Sequence, residues 1–208
     1  MHDEGSDRRY ARDEDEDPGG RVMSRATRIA FFGGSFNPPH VAHVLAVTYA
    51  LATQDIERVL VVPTFRHPFA KPLAPYADRV EMCERAMAWI PGVEVSRVEE
   101  ELGGESKTLR TLEHLQATHP DWSMRLLMGA DLLAEAPRWF RFDAVRAIAP
   151  PMVLGRCGVE SRDAPPPILP AISSTDVRAK IAASDWESLA PLVPREVIAI
   201  IRARNLYS

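Results

Sequence analysis

Two histidines three residues apart, His40 and His43, follow a glycine pair and a proline pair in IAFFGGSFNPPHVAH, residues 29–43. Side chains at i and i+3 share one side of a helical turn. A helix N-terminus adds unpaired N–H groups and the positive end of its dipole, so the place suits an anion, above all a phosphate. The apolar run 29–32 reads as a strand buried on both faces. Gly33 and Gly34 are expected to let the backbone turn and approach a ligand without a Cβ in the way, and Pro39 suits a first helical position. Ser35 and Phe36 complete the turn. Two other uses of the histidine pair compete, a helix cap and a shared metal. Cys83 and Cys157 stand alone with no ligand partners at metal spacing, so no protein metal site is read from the sequence.

A second cluster lies far downstream in ISSTDVR, residues 172–178. Ser174 or Thr175 is expected to cap a helix carrying Arg178. A guanidinium offers a fixed fork of donors that matches phosphate oxygens better than an ammonium does. The two clusters lie more than a hundred residues apart.

Between them the pattern alternates. Residues 58–63 (RVLVVP) read as a strand and 76–90 as an amphipathic helix with Val80, Met82, Ala86 and Trp89 on its apolar side. A short strand at 93–95, a helix at 108–118, a strand at 123–128, a short helix at 144–149 and a strand from 151 to 154 follow. A proline-rich connector at 164–167 leads to a short apolar stretch at 168–169, and Pro194 opens a terminal helix over 195–203. Strands trading places with helices predict an α/β fold, a doubly wound Rossmann-like parallel sheet flanked by helices, with its ligand crevice at the strands' carboxyl ends.

GGSFNPPHVAH and ISSTDVR together resemble the HxGH and ISSTxxR motifs of the nucleotidyltransferase superfamily. From about residue 28 to 207 the layout is similar to bacterial nicotinate-nucleotide adenylyltransferases. KTLRTL at 107–112 resembles that family's YTxxTL, and Gly129-Ala130-Asp131 resembles its GxD. Trp139-Phe140 with Arg156 downstream, and the ending from Leu192-Val193-Pro194 to Asn205-Leu206-Tyr207, extend the likeness. The resemblance implies transfer of AMP from ATP to nicotinate mononucleotide, giving deamido-NAD and pyrophosphate, with Mg²⁺ accompanying ATP. It implies His40, His43 and Arg178 as catalytic residues, and ATP contacts from Gly33, Gly34, Ser35, Phe36, Lys71, Gly129, Asp131, Ser174 and Thr175. Thr108, Trp139, Phe140 and Arg156 are the implied acceptor contacts: Trp139 a ring platform, Arg156 a phosphate ligand or a salt-bridge partner. His67 shares with Lys71 the loop after the second strand. Ala42 stands where the motif has glycine, Asn37 where aspartate is frequent, and Lys107 where an aromatic residue is common. Transfer to nicotinamide mononucleotide or another phosphate acceptor, and a non-catalytic nucleotide-binding protein, are the rival readings.

With 208 residues, 46% of them hydrophobic, the chain can bury a full core. Residues 1–25 are rich in Asp, Glu and Arg and read as a disordered tail, with Met23 a second candidate start; residues 26–208 form the nucleotidyltransferase domain. The net charge of −4 gives no general reason to expect nucleic acid, and no stretch has the length and apolarity of a membrane span. Two unpaired cysteines and no apolar leader point to the cytoplasm. Val197, Ile198, Ile200 and Ile201 of the terminal helix either pack internally or support a homo-oligomer.

Overall fold

The computed structural model describes residues 26–67, 72–159 and 164–208. The first half runs β1 (Thr27–Gly34), α1 (Val41–Thr53), β2 (Arg58–Pro63), α2 (Tyr76–Met87), β3 (Val93–Val95), α3 (Val98–Leu102) and α4 (Thr108–Thr118). The second half runs β4 (Trp122–Gly129), α5 (Phe142–Ile148), β5 (Pro151–Arg156), β6 (Pro167–Leu169), α6 (Ser174–Ala182), α7 (Trp186–Leu189) and α8 (Arg195–Arg204). Single 3₁₀ turns at Ala130–Leu132 and Ala136–Arg138 lie between β4 and α5.

The six strands form one sheet in the order β3-β2-β1-β4-β5-β6, and every pairing is parallel. The doubly wound α/β architecture expected from the alternation is therefore the fold. The chain winds outward from β1 to β3, then returns to place β4 on the other side of β1. That reversal splays the connections leaving β1 and β4 and opens a crevice at their carboxyl ends.

Period-two alternation divides the core. Ala30 and Phe32 of β1 pack on one face with residues of α1, α2, α6 and α8. Ile29 and Phe31 pack on the other with residues of α3, α4 and α5. Every side chain of the run 29–32 is buried, because helices cover both faces. Val197, Ile200 and Ile201 of α8 belong to the first cluster, and Arg204 near its end pairs with Asp78 and Glu81 of α2.

Several boundaries differ from those expected. α2 ends at Met87, and Trp89 beyond it is 71% exposed rather than part of the apolar side. Its indole N–H instead donates to the Ala86 carbonyl at 2.9 Å, in a chain reversal completed by Gly92 at φ 87°. α5 starts two residues early, at Phe142. The sequence of α3, VEEEL, gave too short an apolar pattern to be read as a helix, yet Val98 and Glu99 are both buried. Residues 1–25, expected as a tail, lie outside the described residues.

Candidate active-site crevice

At the carboxyl end of β1 the glycine pair does not make the turn expected of it. Gly33 and Gly34 remain in the strand, paired with Val62 and Pro63 of β2. A Cβ on Gly33 would lie 2.8 Å from the Phe31 ring, and one on Gly34 would lie 3.3 Å from the Phe36 ring. Their lack of a side chain makes room for two buried aromatics. The turn itself falls on Phe36, whose φ of 43° is a left-handed conformation that a phenylalanine adopts only under constraint.

α1 begins at Val41, with His40 as its extended N-cap and Pro39 outside the helix. Its first N–H groups are largely occupied: Val41 donates to the Leu192 carbonyl at 2.9 Å, His40 to His43 Nδ1 at 3.1 Å, and His43 to the His40 carbonyl at 2.9 Å. The bare helix N-terminus expected from the sequence is thus partly used up, and the side chains become the main donors. The His40 and His43 rings stack with centroids 3.8 Å apart, and the Phe36 ring stands edge-on to His43 at 5.0 Å. The His43 ring reaches back to the His40 N–H as in a capping box, while the buried Nδ1 of His40 has no hydrogen-bond partner among the described residues.

Burial pulls the His40 pKa down to about 4, with the Arg156 charge adding to the effect. Burial also holds His43 well below the ordinary range, helped by His40 and again by Arg156. Both imidazoles are neutral at pH 7. Because His43 Nδ1 accepts a hydrogen bond, its proton sits on Nε2, a donor left over for a ligand. Ala42, with a methyl in place of a glycine hydrogen, is 5% exposed and packs in the core beside Phe36 and Ala46.

The second cluster closes directly onto the first. Ser174 Oγ donates to the Pro38 carbonyl at 2.9 Å, and Arg178 Nη1 donates to the Asn37 carbonyl at 2.8 Å and the Ser174 carbonyl at 3.1 Å. Arg178 Nη2 donates to Thr175 Oγ1 at 3.3 Å. Neither Ser174 nor Thr175 is the cap of α6. Ser173 takes that place and accepts from the Asp176 N–H at 3.1 Å, because it is the last extended residue before the helix.

β4 and β5 supply the crevice's other wall. Gly129 ends β4, and a Cβ there would strike the Asp131 carboxylate. Asp131 pairs with Arg156 Nη1 at 2.6 Å, and Arg156 Nη2 also donates to the Ile172 carbonyl. The salt-bridge alternative for Arg156 is therefore present, and the same charge acts on both histidines.

A further group gathers at the start of α4. Lys107, not Thr108, is the N-cap, and Thr108 is the first helical residue. Phe140, 60% exposed, carries the Lys107 ammonium 5.3 Å from its ring centroid, so segment 139–140 lies against that helix start. Trp139 is half-buried and meets Phe142 edge-on at 5.8 Å. Lys71 lies outside the described residues, while His67 is half-buried beyond β2.

Arg79 and Glu99 escaped the sequence reading, and Asn37 entered it only as a departure from the motif. Arg79 donates through Nε to the Ala74 carbonyl at 3.0 Å and through Nη1 to the Ser35 carbonyl at 2.9 Å. Asn37 Oδ1 accepts from the Ala74 N–H at 2.9 Å. Glu99 accepts from the Phe65 N–H at 3.0 Å and from Thr111 Oγ1 at 3.3 Å, and burial raises its pKa. A signal existed for Arg79, which lies on the same helical stripe as Met82, Cys83 and Ala86.

Comparison with known proteins gives a consistent result. The cytidylyltransferase-like family model matches residues 31–180. A probable nicotinate-nucleotide adenylyltransferase of Anaeromyxobacter sp. (strain K) is 49% identical over 192 residues, 89% of this chain and 99% of the relative. One of Myxococcus xanthus (strain DK1622) is 39% identical over 186 residues, 89% and 97% of the two chains. Among solved structures, the Plasmodium falciparum nicotinic acid mononucleotide adenylyltransferase complexed with APC superposes with a TM-score of 0.73 at 18% identity, over 87% of this chain and 97% of that one. At that identity the superposition bears on the fold.

Proposed function

The chain belongs to the nicotinate-nucleotide adenylyltransferase family, and on that premise we propose that it transfers the AMP unit of ATP to nicotinate mononucleotide, forming deamido-NAD and pyrophosphate. An oxygen of the mononucleotide phosphate attacks the α-phosphorus of ATP in line, and the bond from that phosphorus to the bridging oxygen of the β-phosphate breaks. The nucleophile is already an anion, so the reaction needs no general base and no covalent intermediate. Catalysis rests on holding the two phosphates together and offsetting the charge that moves onto pyrophosphate.

The observation that carries this reading is the closure of ISSTDVR onto the turn after β1, through Ser174 to Pro38 and Arg178 to Asn37. It surrounds one crevice with neutral imidazole donors and arginine. In the proposal His40, His43, Ser35, Ser174, Thr175 and Arg178 contact the ATP phosphates. Gly33, Gly34, Phe36 and Gly129 shape the floor, Asp131 accepts from a ribose hydroxyl, and Arg156 meets the mononucleotide phosphate. Lys71 keeps its proposed phosphate role from the family pattern alone. Thr108 and its neighbouring N–H groups receive the nicotinate carboxylate, and Trp139 and Phe140 flank the ring.

Among the described residues no group of three or more His, Cys, Asp or Glu side chains is placed to hold a metal ion. In the proposal Mg²⁺ arrives on the phosphates and water of ATP, where it offsets phosphate charge. No described helix is long and apolar enough to cross a membrane.

The test is pyrophosphate release with ATP and Mg²⁺, comparing nicotinate mononucleotide, nicotinamide mononucleotide and phosphopantetheine. Release that depends on nicotinate mononucleotide is expected. Preference for either other acceptor overturns the substrate, and a folded protein inactive with all three overturns the reaction.

A further inference from the structure

Arg79 is the largest wholly buried side chain among the described residues, at 1% exposure, and no carboxylate forms an ion pair with it there. A buried guanidinium without a carboxylate is costly unless its hydrogen bonds are used. This one donates to two carbonyls from different segments, Ser35 in the turn after β1 and Ala74 just before α2, and its cation lies 5.5 Å from the Tyr76 ring centroid. The segments are also tied by the Asn37 carboxamide, which accepts from the Ala74 N–H at 2.9 Å and donates to the Pro72 carbonyl at 3.4 Å.

The turn needs such a hold, since Phe36 is left-handed and sits one residue past the bonded carbonyl. With Asn37 and Pro38 held by Arg178 and Ser174, three carbonyls of the turn are fixed by side chains from α2 and α6. In a trans peptide the N–H opposes the C=O, so fixing the Ser35 carbonyl also fixes the direction of the Phe36 N–H.

We infer that Arg79 is a positioning residue for the phosphate turn: its guanidinium holds the Ser35 and Ala74 carbonyls together and presets the turn and the 72–75 segment before nucleotide arrives. The inference rests on the proposed role of that turn in binding ATP. A lysine at this place keeps the charge but brings all its donors on one nitrogen, without the planar spacing of Nε and Nη1 that reaches both carbonyls, and a glutamine is too short to bridge them.

The experiment compares wild type, Arg79→Lys and Arg79→Gln as full chains. Thermal unfolding reports folding, calorimetry reports binding of a non-hydrolysable ATP analogue and of nicotinate mononucleotide, and pyrophosphate release reports turnover. Folded variants should bind the ATP analogue on the order of 10- to 100-fold more weakly, with a matching rise in the KM for ATP and little change toward the mononucleotide. Lysine should retain more than glutamine. Equal loss toward both ligands, unchanged ATP binding, or failure of both variants to fold would make Arg79 an ordinary core residue and overturn the inference. The binding arm separates the two claims: weakened analogue binding in a protein that releases no pyrophosphate with nicotinate mononucleotide keeps this inference and sinks the proposed reaction.

Discussion

Acid should unfold this protein partly through its histidine pair, and substitution of His40 measures how much. His40 is 3% exposed and titrates at about 4, because burial and the Arg156 charge both disfavour the imidazolium. An unfolded histidine takes its proton near its ordinary value of 6.5. Between those two values the unfolded chain binds a proton that the native state refuses. The native pKa is the depressed one, so the stability is fully present above about 6.5 and is lost as the pH falls toward about 4. The whole gap corresponds to about 3 kcal/mol, of which about 2 kcal/mol should be gone by about pH 5. That is a large share of a domain stability of about 5–15 kcal/mol. The measurement is urea denaturation of wild type and His40→Asn from about pH 7.5 to pH 5. Asparagine can serve as the N-cap without titrating. His43 has the same direction of shift, and part of its shift comes from His40, so the difference between the two proteins reports His40 together with its coupling to His43. Wild type should lose about 2 kcal/mol more than the variant over this range. Parallel loss in the two proteins would refute the claim that the His40 imidazole is held neutral by its surroundings.

Three other outcomes follow from the geometry. Arg178→Lys removes the fork between the Asn37 and Ser174 carbonyls, and initial-rate assays should show kcat/KM lowered by about 10- to 100-fold in a protein with an unchanged circular dichroism spectrum. Gly155→Ala would push a Cβ into the Pro165 and Pro166 carbonyl oxygens at the irregular β5–β6 junction; about 1–3 kcal/mol of stability should be lost in thermal denaturation, and an unchanged Tm would contradict the packing. Glu99→Gln should gain stability relative to wild type as pH rises from acid to neutral. The native pKa of Glu99 is raised, chiefly by burial, so wild type loses stability as the carboxyl ionises, while a carboxamide keeps the Phe65 and Thr111 contacts without a charge. A stability difference independent of pH would argue against it.

How much of this was readable beforehand depended on where the controlling interaction lay. β2 at 58–63 was legible as a continuous apolar run buried on both faces, and α4 at 108–118 because its helical periodicity matches the face the core covers. Residues 29–43 and 172–178 were singled out by residue type and family resemblance, and the sheet order explains how they meet. α1's start was misjudged because Pro39 is an equally good flanking residue, and the cap went to the histidine whose backbone N–H its own i+3 partner could accept. Trp89 was assigned to the core by spacing that continued past the point where the helix stops. Arg79 was passed over because charge normally marks the solvent side of an amphipathic helix; its partners, Ser35 and Ala74, are set by the tertiary fold. The stacking of His40 on His43, and the Arg156 charge that bears on both, likewise belong to the assembled chain.

The hydrogen bond from Ser174 to Pro38 spans 136 residues of sequence, and that from Arg178 to Asn37 spans 141. Closing so long a loop makes these bonds late arrivals in folding. During synthesis β1, β2 and β3 leave the ribosome first and can pair, but the crevice has only one lip until residues 174–178 have emerged and swung back across the sheet. An unfinished chain therefore carries half of the scaffold and none of the clasp. On the proposed reading of the crevice, ligand capture waits on completion of the chain.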